Sequence, residues 1–366
     1  MPHLTPGELA ADLAVRDLTD PAQGPHAIQL LVSSILSAVA ARWPAAPLIV
    51  HRGERIVDVA DNYDRLGYAP TAAARDARYT RYVAPDRMLR SQTSALIPGA
   101  LREVRSAPVL IACPGVVYRR DAIDRLHTGT PHQLDLWALD TGAGLLDLAG
   151  VALDAALPGV AWRTRPATHP YTTGGLEIEA PAPAVGPPSR LGGDWVEVGE
   201  CGVAAAHVLR RPGVTGLALG LGLDRLLMLR KGIDDIRLLR SPDPRVARQM
   251  TGLAPYRPVS PQPPACRDLS VALPAGVTTE DLGDRVRSLL GEDAGLVEEV
   301  TIRSVTPAGS LPPSSRARLG LAEGEANVLL RVVLRDLTAA LPKERANALR
   351  DRLWTGLMGD RAPSPR

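Results

Sequence analysis

Apolar residues recur at helical spacing near the start of the chain, between Pro25 and Trp43. Residues three and four apart share one face of a helix, so this pattern predicts an amphipathic helix. Later, short apolar runs alternate with polar residues, which is typical of strands covered on one face. These runs occupy residues 47–51, 55–63, 107–120, 132–139 and 194–203.

Two places interrupt the strand pattern. Pro114-Gly115 is expected to break residues 107–120 into a pair of strands, because proline and glycine interrupt regular structure. Residues 216–232 begin as a glycine-punctuated strand and are expected to pass into a helix at Asp224. Many strands with few helices predict an α+β domain, an antiparallel sheet packed by helices.

Four prolines within residues 258–266 predict a domain boundary. We therefore expect a first domain over residues 1–257, a linker over 258–265 and a second domain over 266–366. The second domain shows strand, helix, strand, strand and helix patterns in that order. This order predicts a ferredoxin-like sandwich.

Composition limits the class of protein. The 366 residues are 45% apolar and 22% charged with a net charge of +2, so any nucleic-acid contact must come from local patches. Cys113, Cys201 and Cys266 lie far apart, and the seven histidines show no metal-ligand spacing, so we expect a reducing cytoplasm and no protein-held zinc. No apolar run is long enough to span a membrane, and the acidic N-terminus is not a secretory signal.

Two stretches are specific enough to indicate chemistry: VVYRRDAIDRLHTGTPHQLDLW (116–137) and GLALGLGLDRLLMLRKGIDDIRLL (216–239). Each places an arginine beside a strand or at a strand-to-helix junction. Activating a carboxylate with ATP builds charge on phosphate oxygens, which the planar guanidinium of arginine suits. Arg119 and Arg225 are therefore the predicted catalytic residues.

These stretches resemble motifs 2 and 3 of class II aminoacyl-tRNA synthetases. More closely, VYRRDAID, HQLD and GLGLDRL are similar to phenylalanyl-tRNA synthetase in its single-chain, mitochondrial-like form, which ends in a ferredoxin-fold anticodon-binding domain. The resemblance continues in the same order from about Asn62 to the C-terminus. Further matching stretches are residues 62–68, 88–95, 168–179, 195–203, 235–245 and 255–270.

The resemblance implies roles on the nucleotide side. Arg119 would contact the α-phosphate and the carboxylate, with Asp121 beside it. His127 would lie near the pyrophosphate, and Arg225 would hold the γ-phosphate. Pro131 stands where the family has a phenylalanine stacked on adenine. From the residues alone, the two acids Asp121 and Asp124 could instead be surface partners of the neighbouring arginines Arg119, Arg120 and Arg125.

The resemblance also implies roles on the amino-acid side. Gln133 and Asp135 match positions that receive the substrate's α-amino group, and an acid there suits an ammonium physically. Ser94 lies in the same region. Mg²⁺ would arrive with ATP, bound through phosphates and a carboxylate such as Glu197.

The amino-acid pocket departs from the family. Where the family has a Phe-Pro-Phe stretch, this chain has His169-Pro170-Tyr171. Gln92 stands where the family has a histidine, and Ile97 stands where it has a glutamine. The small Ala218 is the same as the family's residue at the pocket floor. The whole chain contains no phenylalanine. Either the chain was purged of phenylalanine, or the pocket was remodelled for another amino acid. The changes at Gln92 and Ile97 favour remodelling, since neither replaces a phenylalanine.

The predicted function is therefore an ATP-dependent aminoacyl-tRNA ligase that adenylates phenylalanine or an altered aromatic amino acid and transfers it to tRNA. One alternative is a paralogue that activates a non-protein amino acid for a carrier protein or a biosynthetic pathway. Another is a catalytically silent tRNA-binding regulator. The second domain argues against the carrier-pathway alternative, because it would have little to do without tRNA. The silent-regulator alternative is opposed by the presence of the motif residues Arg119, His127, Gln133 and Arg225.

Overall fold

The computed structural model describes residues 3–182, 195–258, 263–322 and 324–359. The chain forms two compact units. The first comprises Met1–Arg119, Thr130–Leu239 and Val246–Tyr256, and the second comprises Arg120–Gly129, Arg240–Arg245 and Arg257–Arg366.

The first unit is built on a seven-stranded sheet in the order β1-β5-β6-β10-β9-β8-β7, with a small sheet in the order β2-β4-β3. All neighbours in the large sheet are antiparallel except β1 and β5, which are parallel. The strands are β1 (Leu48–Val50), β2 (Ile56–Asp58), β3 (Tyr82–Ala84), β4 (Arg87–Leu89), β5 (Val109–Val116), β6 (His132–Leu139), β7 (Arg163–Pro166), β8 (Thr172–Pro181), β9 (Trp195–Ala204) and β10 (Gly216–Gly222). The helices along this part of the chain are α1 (Pro6–Ala14), α2 (Ala27–Arg42), α3 (Val59–Asn62), α4 (Ile97–Glu103), α5 (Leu145–Ala156), α6 (Ala206–Leu209), α7 (Leu223–Lys231) and α8 (Pro244–Ala247). The α+β prediction is confirmed.

Helix α2 confirms the first predicted helix. The ring of His26 caps its N-terminus by accepting a hydrogen bond from the N–H of Ile28, at 3.2 Å. Its inward side buries Ile28, Leu31, Val32, Ile35 and Val39. The predicted change from strand to helix near Asp224 is also confirmed, since β10 ends at Gly222 and α7 begins at Leu223.

Two strand predictions are wrong in detail. Residues 107–120 contain one continuous strand, β5, which runs through Pro114 and Gly115. Strand β1 pairs with β5 only as far as Ala112, so the missing N–H of Pro114 removes no bond from that pairing. Residues 55–63 form only the short β2 before turning into α3.

Helix α1 was not predicted, although its start signal is in the sequence. Thr5 and Glu8 form a reciprocal capping box, and Pro6 occupies the first helical position. Such a box satisfies backbone N–H groups that the first helical turn leaves unpaired.

The second unit contains a three-stranded antiparallel sheet in the order β11-β13-β12. Its elements are β11 (Ala265–Pro274), α9 (Thr279–Leu290), β12 (Val297–Pro307), α10 (Pro313–Leu319), β13 (Glu325–Leu334) and α11 (Lys343–Met358). The predicted order of strands and helices is present, with α10 added between β12 and β13. The core includes Val271, Val286, Leu330 and Leu349.

The predicted linker at 258–265 falls partly outside the described residues. No helix in the described part of the chain is long and apolar enough to cross a membrane.

Candidate active site

The centre of the candidate site is one face of strands β6, β10 and β9. Asp135 pairs with Gly220, and Gly220 pairs with Glu200 on its other side. Two residues away along the same two strands, Ala218 pairs with Trp137. Residues directly opposite each other in a sheet point to the same face, so the two carboxylates flank a glycine.

Glycines keep this face open. If Gly220 carried a Cβ atom, the three atoms nearest to it would all belong to Glu200, at 3.4 to 4.0 Å. A Cβ at Gly222, which pairs with Gln133, would have the carbonyl oxygen of Val198 at 3.6 Å as its neighbour. The space between Asp135 and Glu200 is therefore not filled by the strand that lies between them. We call it the glycine slot.

Asp135 forms one wall of the glycine slot and is 3% exposed. Its Oδ2 accepts hydrogen bonds from Ser94 Oγ at 2.7 Å and Thr93 Oγ1 at 3.1 Å, and its Oδ1 accepts one from Trp137 Nε1 at 3.1 Å. Burial raises the pKa of Asp135 to about 6, against the opposing effect of the hydrogen bonds and with a further rise from the charge of Glu200. Asp135 is thus still a carboxylate at neutral pH.

Gln133 and Gln92 hold the segment that carries Ser94. Gln133 Oε1 accepts a hydrogen bond from the N–H of Thr93 at 3.1 Å. Gln92 Oε1 accepts one from the Tyr68 hydroxyl at 3.3 Å, and Gln92 Nε2 donates to the carbonyl of Asn62 at 3.0 Å. Burial raises the pKa of Tyr68 to about 12, so its hydroxyl stays a donor. The structure therefore brings together the amino-acid-side residues predicted from the 88–95 and 132–139 stretches.

The opposite wall is a cluster of His169, Tyr171 and Glu200. Glu200 Oε2 lies 2.5 Å from His169 Nε2, and its Oε1 accepts a hydrogen bond from the Tyr171 hydroxyl. The rings of His169 and Tyr171 stack with centroids 5.9 Å apart. Sequence reasoning predicted both rings but missed Glu200, which was only one letter in the matched stretch 195–203.

Charge on this cluster is distributed in a definite way. Burial opposes ionisation of Glu200, but the hydrogen bonds from His169 and Tyr171 and the positive charges of His169 and Arg119 outweigh it and lower its pKa. The hydrogen bond to Glu200 raises the pKa of His169. The other ring nitrogen of His169, Nδ1, is buried without a hydrogen-bond partner among the described residues. Glu200 is therefore a carboxylate with two donors already in place.

Arg119 follows the last fully buried residues after β5. Its Nε donates to the carbonyl of Ser91 at 2.8 Å, which fixes the guanidinium beside the segment that carries Gln92. Its charge also acts on Tyr68 and Glu200. Arg119 thus lies with the amino-acid-side residues, as the predicted contact with a substrate carboxylate requires.

Arg225 lies in the first turn of α7. Its Nη1 donates to the carbonyl of Glu197 at 3.0 Å and lies 3.4 Å from the carboxylate of the same residue. Glu197 was the predicted metal ligand, but its carboxylate is paired with Arg225. Among the residues that the structure describes, no group of three or more histidines, cysteines or acids could hold a metal ion.

A buried histidine–aspartate pair, which sequence reasoning did not single out, joins the two signature stretches. The N–H of His132 donates to Asp224 Oδ2 at 2.5 Å, and its imidazole Nδ1 lies 3.2 Å from Asp224 Oδ1. The imidazole Nε2 accepts from the N–H of Leu18 at 2.9 Å, which identifies Nδ1 as the protonated nitrogen. The neighbouring Pro131 uses its carbonyl to accept from the N–H of Val117 at 2.8 Å. This pair fixes the start of β6 against the start of α7.

Asp121 and His127 belong to the second unit, with the whole segment Arg120–Gly129. Arg287 Nη1 donates to the carbonyl of Asp121 at 2.9 Å, and Ile123 is buried in the core of the second unit. His127 Nδ1 lies 2.6 Å from Asp124 Oδ2. The expected roles of Asp121 and His127 toward ATP stay predictions.

The alternative proposed for the acids of this segment was ion pairing with neighbouring arginines. Arg120 instead lies 3.5 Å from Asp284, and Arg125 lies 4.0 Å from Glu298. Both partners are in the same second unit. The segment 120–129 is therefore bound to elements that lie about 165 to 175 residues later in the chain.

Residues 30–250 match the family described as tRNA synthetases class II core domain (F). The chain is 36% identical over 199 residues to the phenylalanine–tRNA ligase alpha subunit of Teredinibacter turnerae, a match that covers 52% of this chain and 58% of that protein. It is 33% identical over 241 residues to the alpha subunit from Mycolicibacterium gilvum, covering 62% and 66%. The chain thus spans less than two thirds of the length of these relatives. A solved structure of pyrrolysyl-tRNA synthetase from Desulfitobacterium hafniense aligns with a TM-score of 0.44 and 17% identity, covering 59% of this chain and 73% of that one.

Proposed function

The chain belongs to the class II aminoacyl-tRNA synthetase family, and we propose that it adenylates an amino acid with ATP and transfers it to tRNA. The observation that carries the proposal is the glycine slot. It is an open stretch of sheet between two ionised carboxylates, with Arg119 acting on the same face. An α-amino acid needs an acid for its ammonium group and a cation for its carboxylate, and both are present.

Each residue of the slot has a proposed task. Asp135 and Gln133 receive the α-ammonium group, because Asp135 is ionised at neutral pH and an ammonium beside it offsets the cost of its burial. Arg119 binds the substrate carboxylate and stabilises charge on the α-phosphate as the adenylate forms. Catalysis of this kind consists of positioning and electrostatic stabilisation, with no covalent enzyme nucleophile.

We propose that Arg225 binds the γ-phosphate and that His127 lies near the pyrophosphate. Asp121 would lie beside Arg119 in ATP binding, and Pro131 would lie at the adenine. Class II synthetases use a divalent metal with ATP. Since Glu197 is paired with Arg225, the phosphates would supply most ligands of Mg²⁺, and no step is assigned to the metal.

The second unit is proposed to be a ferredoxin-like anticodon-binding domain, as in the single-chain form of the enzyme. The strand order β11-β13-β12 and the helices α9 and α11 support this assignment. We place the protein in the cytoplasm, where free cysteines such as Cys113, Cys201 and Cys266 persist.

The proposed substrate is an aromatic amino acid other than plain phenylalanine. His169, Tyr171 and Gln92 all form hydrogen bonds in the pocket, and each stands where the sequence departs from the phenylalanine-specific pattern. A phenyl ring would leave such polar groups with nothing to bond on its side, which costs affinity.

Amino-acid-dependent exchange of pyrophosphate into ATP tests this function. We expect exchange with at least one amino acid of a panel containing phenylalanine, tyrosine and non-protein aromatic amino acids, and aminoacylation of tRNA with the same amino acid. Exchange without any tRNA product would support the carrier-pathway alternative. Binding of tRNA with no exchange for any amino acid would support the silent regulator.

A further inference from the structure

Glu200 has more bonding capacity than its neighbours use. A carboxylate has about four lone-pair positions, and His169 and Tyr171 fill one on each oxygen. The Tyr171 hydroxyl donates to Glu200 and keeps its own lone pairs. Gln92 Oε1 accepts one bond, from Tyr68. The unused capacity at this end of the slot is therefore dominated by acceptors, and Gln92 supplies the remaining amide N–H.

The slot also holds a second carboxylate besides the one that the α-ammonium group of an amino acid requires. Asp135 and Glu200 face the same side of the sheet with Gly220 between them, and the charge of Glu200 raises the pKa of Asp135. A single carboxylate is enough for one α-ammonium group. The second carboxylate is stabilised by His169 and stays ionised, so it has a separate use.

A purely structural use of Glu200 is not enough to explain the arrangement. The Glu200 carboxylate is partly desolvated, which opposes its ionisation, and an apolar residue could support the stacked rings of His169 and Tyr171 without that cost. The carboxylate also lies beside a strand position without a side chain, where a ligand atom can approach it. Its position is that of a group that contacts a ligand.

We propose that Glu200 determines the substrate, so that this site takes an aromatic amino acid whose side chain carries a hydrogen-bond donor, such as a ring hydroxyl, amine or N–H. This inference rests on the proposed function and deepens it. Glu200 accepts the hydrogen bond from the side chain, while Asp135 accepts those of the α-ammonium group. Ala218, 2% exposed beside Trp137, limits the room at the far end, so a small donor away from the para position fits best.

Size-matched probes test the inference on the unmodified protein. 3-Hydroxyphenylalanine and 3-aminophenylalanine carry a donor, whereas 3-fluorophenylalanine has a similar size without one, and phenylalanine has neither. We expect the donor probes to be preferred by at least about 100-fold in pyrophosphate exchange, since sites that bond a substrate polar group reject analogues lacking it by up to about 10⁵-fold. Binding of each probe is measured in parallel by calorimetry.

Two variants assign the preference to one side chain. Glu200→Gln keeps the shape but replaces one acceptor oxygen with a donor, so the preference for 3-hydroxyphenylalanine over 3-fluorophenylalanine should fall by at least about tenfold. Glu177 lies opposite Glu200 in β8, so Glu177→Gln removes the same charge from the same part of the sheet and should keep the preference. A ratio of two substrates is unaffected by a simple loss of active protein.

The possible outcomes separate the two levels of the proposal. Equal use of the donor and fluoro probes by the unmodified protein overturns the inference and leaves the ligase function intact. An unchanged preference in Glu200→Gln also overturns it. Selective calorimetric binding of the donor probes without any exchange would support the inference and overturn the ligase function. No binding and no exchange with any probe would overturn both.

Discussion

The two units each contain three central antiparallel strands, but the strands are built differently. In the first unit, the middle strand β10 has the sequence GLALGLG. Its neighbour β6 supplies the buried Asp135, and its neighbour β9 supplies Glu200, whose side chain is 30% exposed. In the second unit, the middle strand β13 alternates between buried and partly exposed positions over most of its length. Its charge is paired at the surface, as in Arg331 Nε and Asp268 Oδ1 at 2.8 Å.

The difference shows what a reactive site costs. Alternation lets a sheet bury apolar side chains and leave charge in water, which favours stability. The glycine slot has no side chain on β10 to pack, and it holds Asp135 away from solvent and Glu200 partly so. Such an arrangement is destabilising by itself, and it is the kind of local departure expected at a functional site.

The largest effect should follow from Arg119→Ala. If the first unit carries the chemistry, removing this guanidinium should lower pyrophosphate exchange by about 10²- to 10³-fold, the loss typical of one donor that stabilises transition-state charge. Arg102→Ala is the matched control, because the Arg102 side chain is 60% exposed and should not affect exchange. A loss below about tenfold for Arg119→Ala would contradict the assignment.

A smaller effect should come from the second unit. Arg287 donates to the carbonyls of Asp121 and Ala122, at 2.9 and 3.2 Å. Arg287→Ala should therefore loosen the segment that carries His127 and raise the KM for ATP by about tenfold, since hydrogen bonds from a charged group contribute about 1.5–3 kcal/mol.

Arg285→Ala provides the control for this prediction, because Arg285 lies exposed on the same helix two residues away. It should leave the KM unchanged. If both variants behaved alike, the segment 120–129 would have no role in ATP binding, and the chemistry would be confined to the first unit.

Much of this comparison could be predicted from sequence, because the signals are local. The glycine pattern of residues 216–222 and the alternation of 132–139 predicted β10 and β6. The resemblance to class II synthetase motifs pointed to Ser94, Gln133 and Asp135 as candidate site residues. Glu200 could not be found this way, since its role depends on partners in β8 and β10 and on a ring 31 positions away. The burial of Ile123 in the core of the second unit has no local signal either, because the residues that surround it there lie far along the chain.

The smallest expected effects concern one aspartate from each unit. The free energy of unfolding is measured with urea at pH 4 and pH 7. Burial raises the pKa of Asp135 from 3.8 to about 6, so the native state holds this proton more tightly than the unfolded chain does. Its contribution to the free energy of unfolding therefore falls as the pH rises from about 4 to about 6 and is constant above that range. Asp135→Asn should remove this fall, so the variant should gain stability relative to the unmodified protein between pH 4 and pH 7.

Asp268 should behave in the opposite way. The hydrogen bond from Arg331 lowers the pKa of Asp268 below 3.8, so its stabilising effect is present above that value and is lost as the pH falls through the lowered pKa. Because both side chains are largely in water, Asp268→Asn should cost less than about 1 kcal/mol at pH 7, and 1 M salt should reduce even this cost. An Asp135→Asn variant with the same pH dependence as the unmodified protein would mean that the buried carboxylate imposes no cost. The contrast between the two sheets would then concern shape alone.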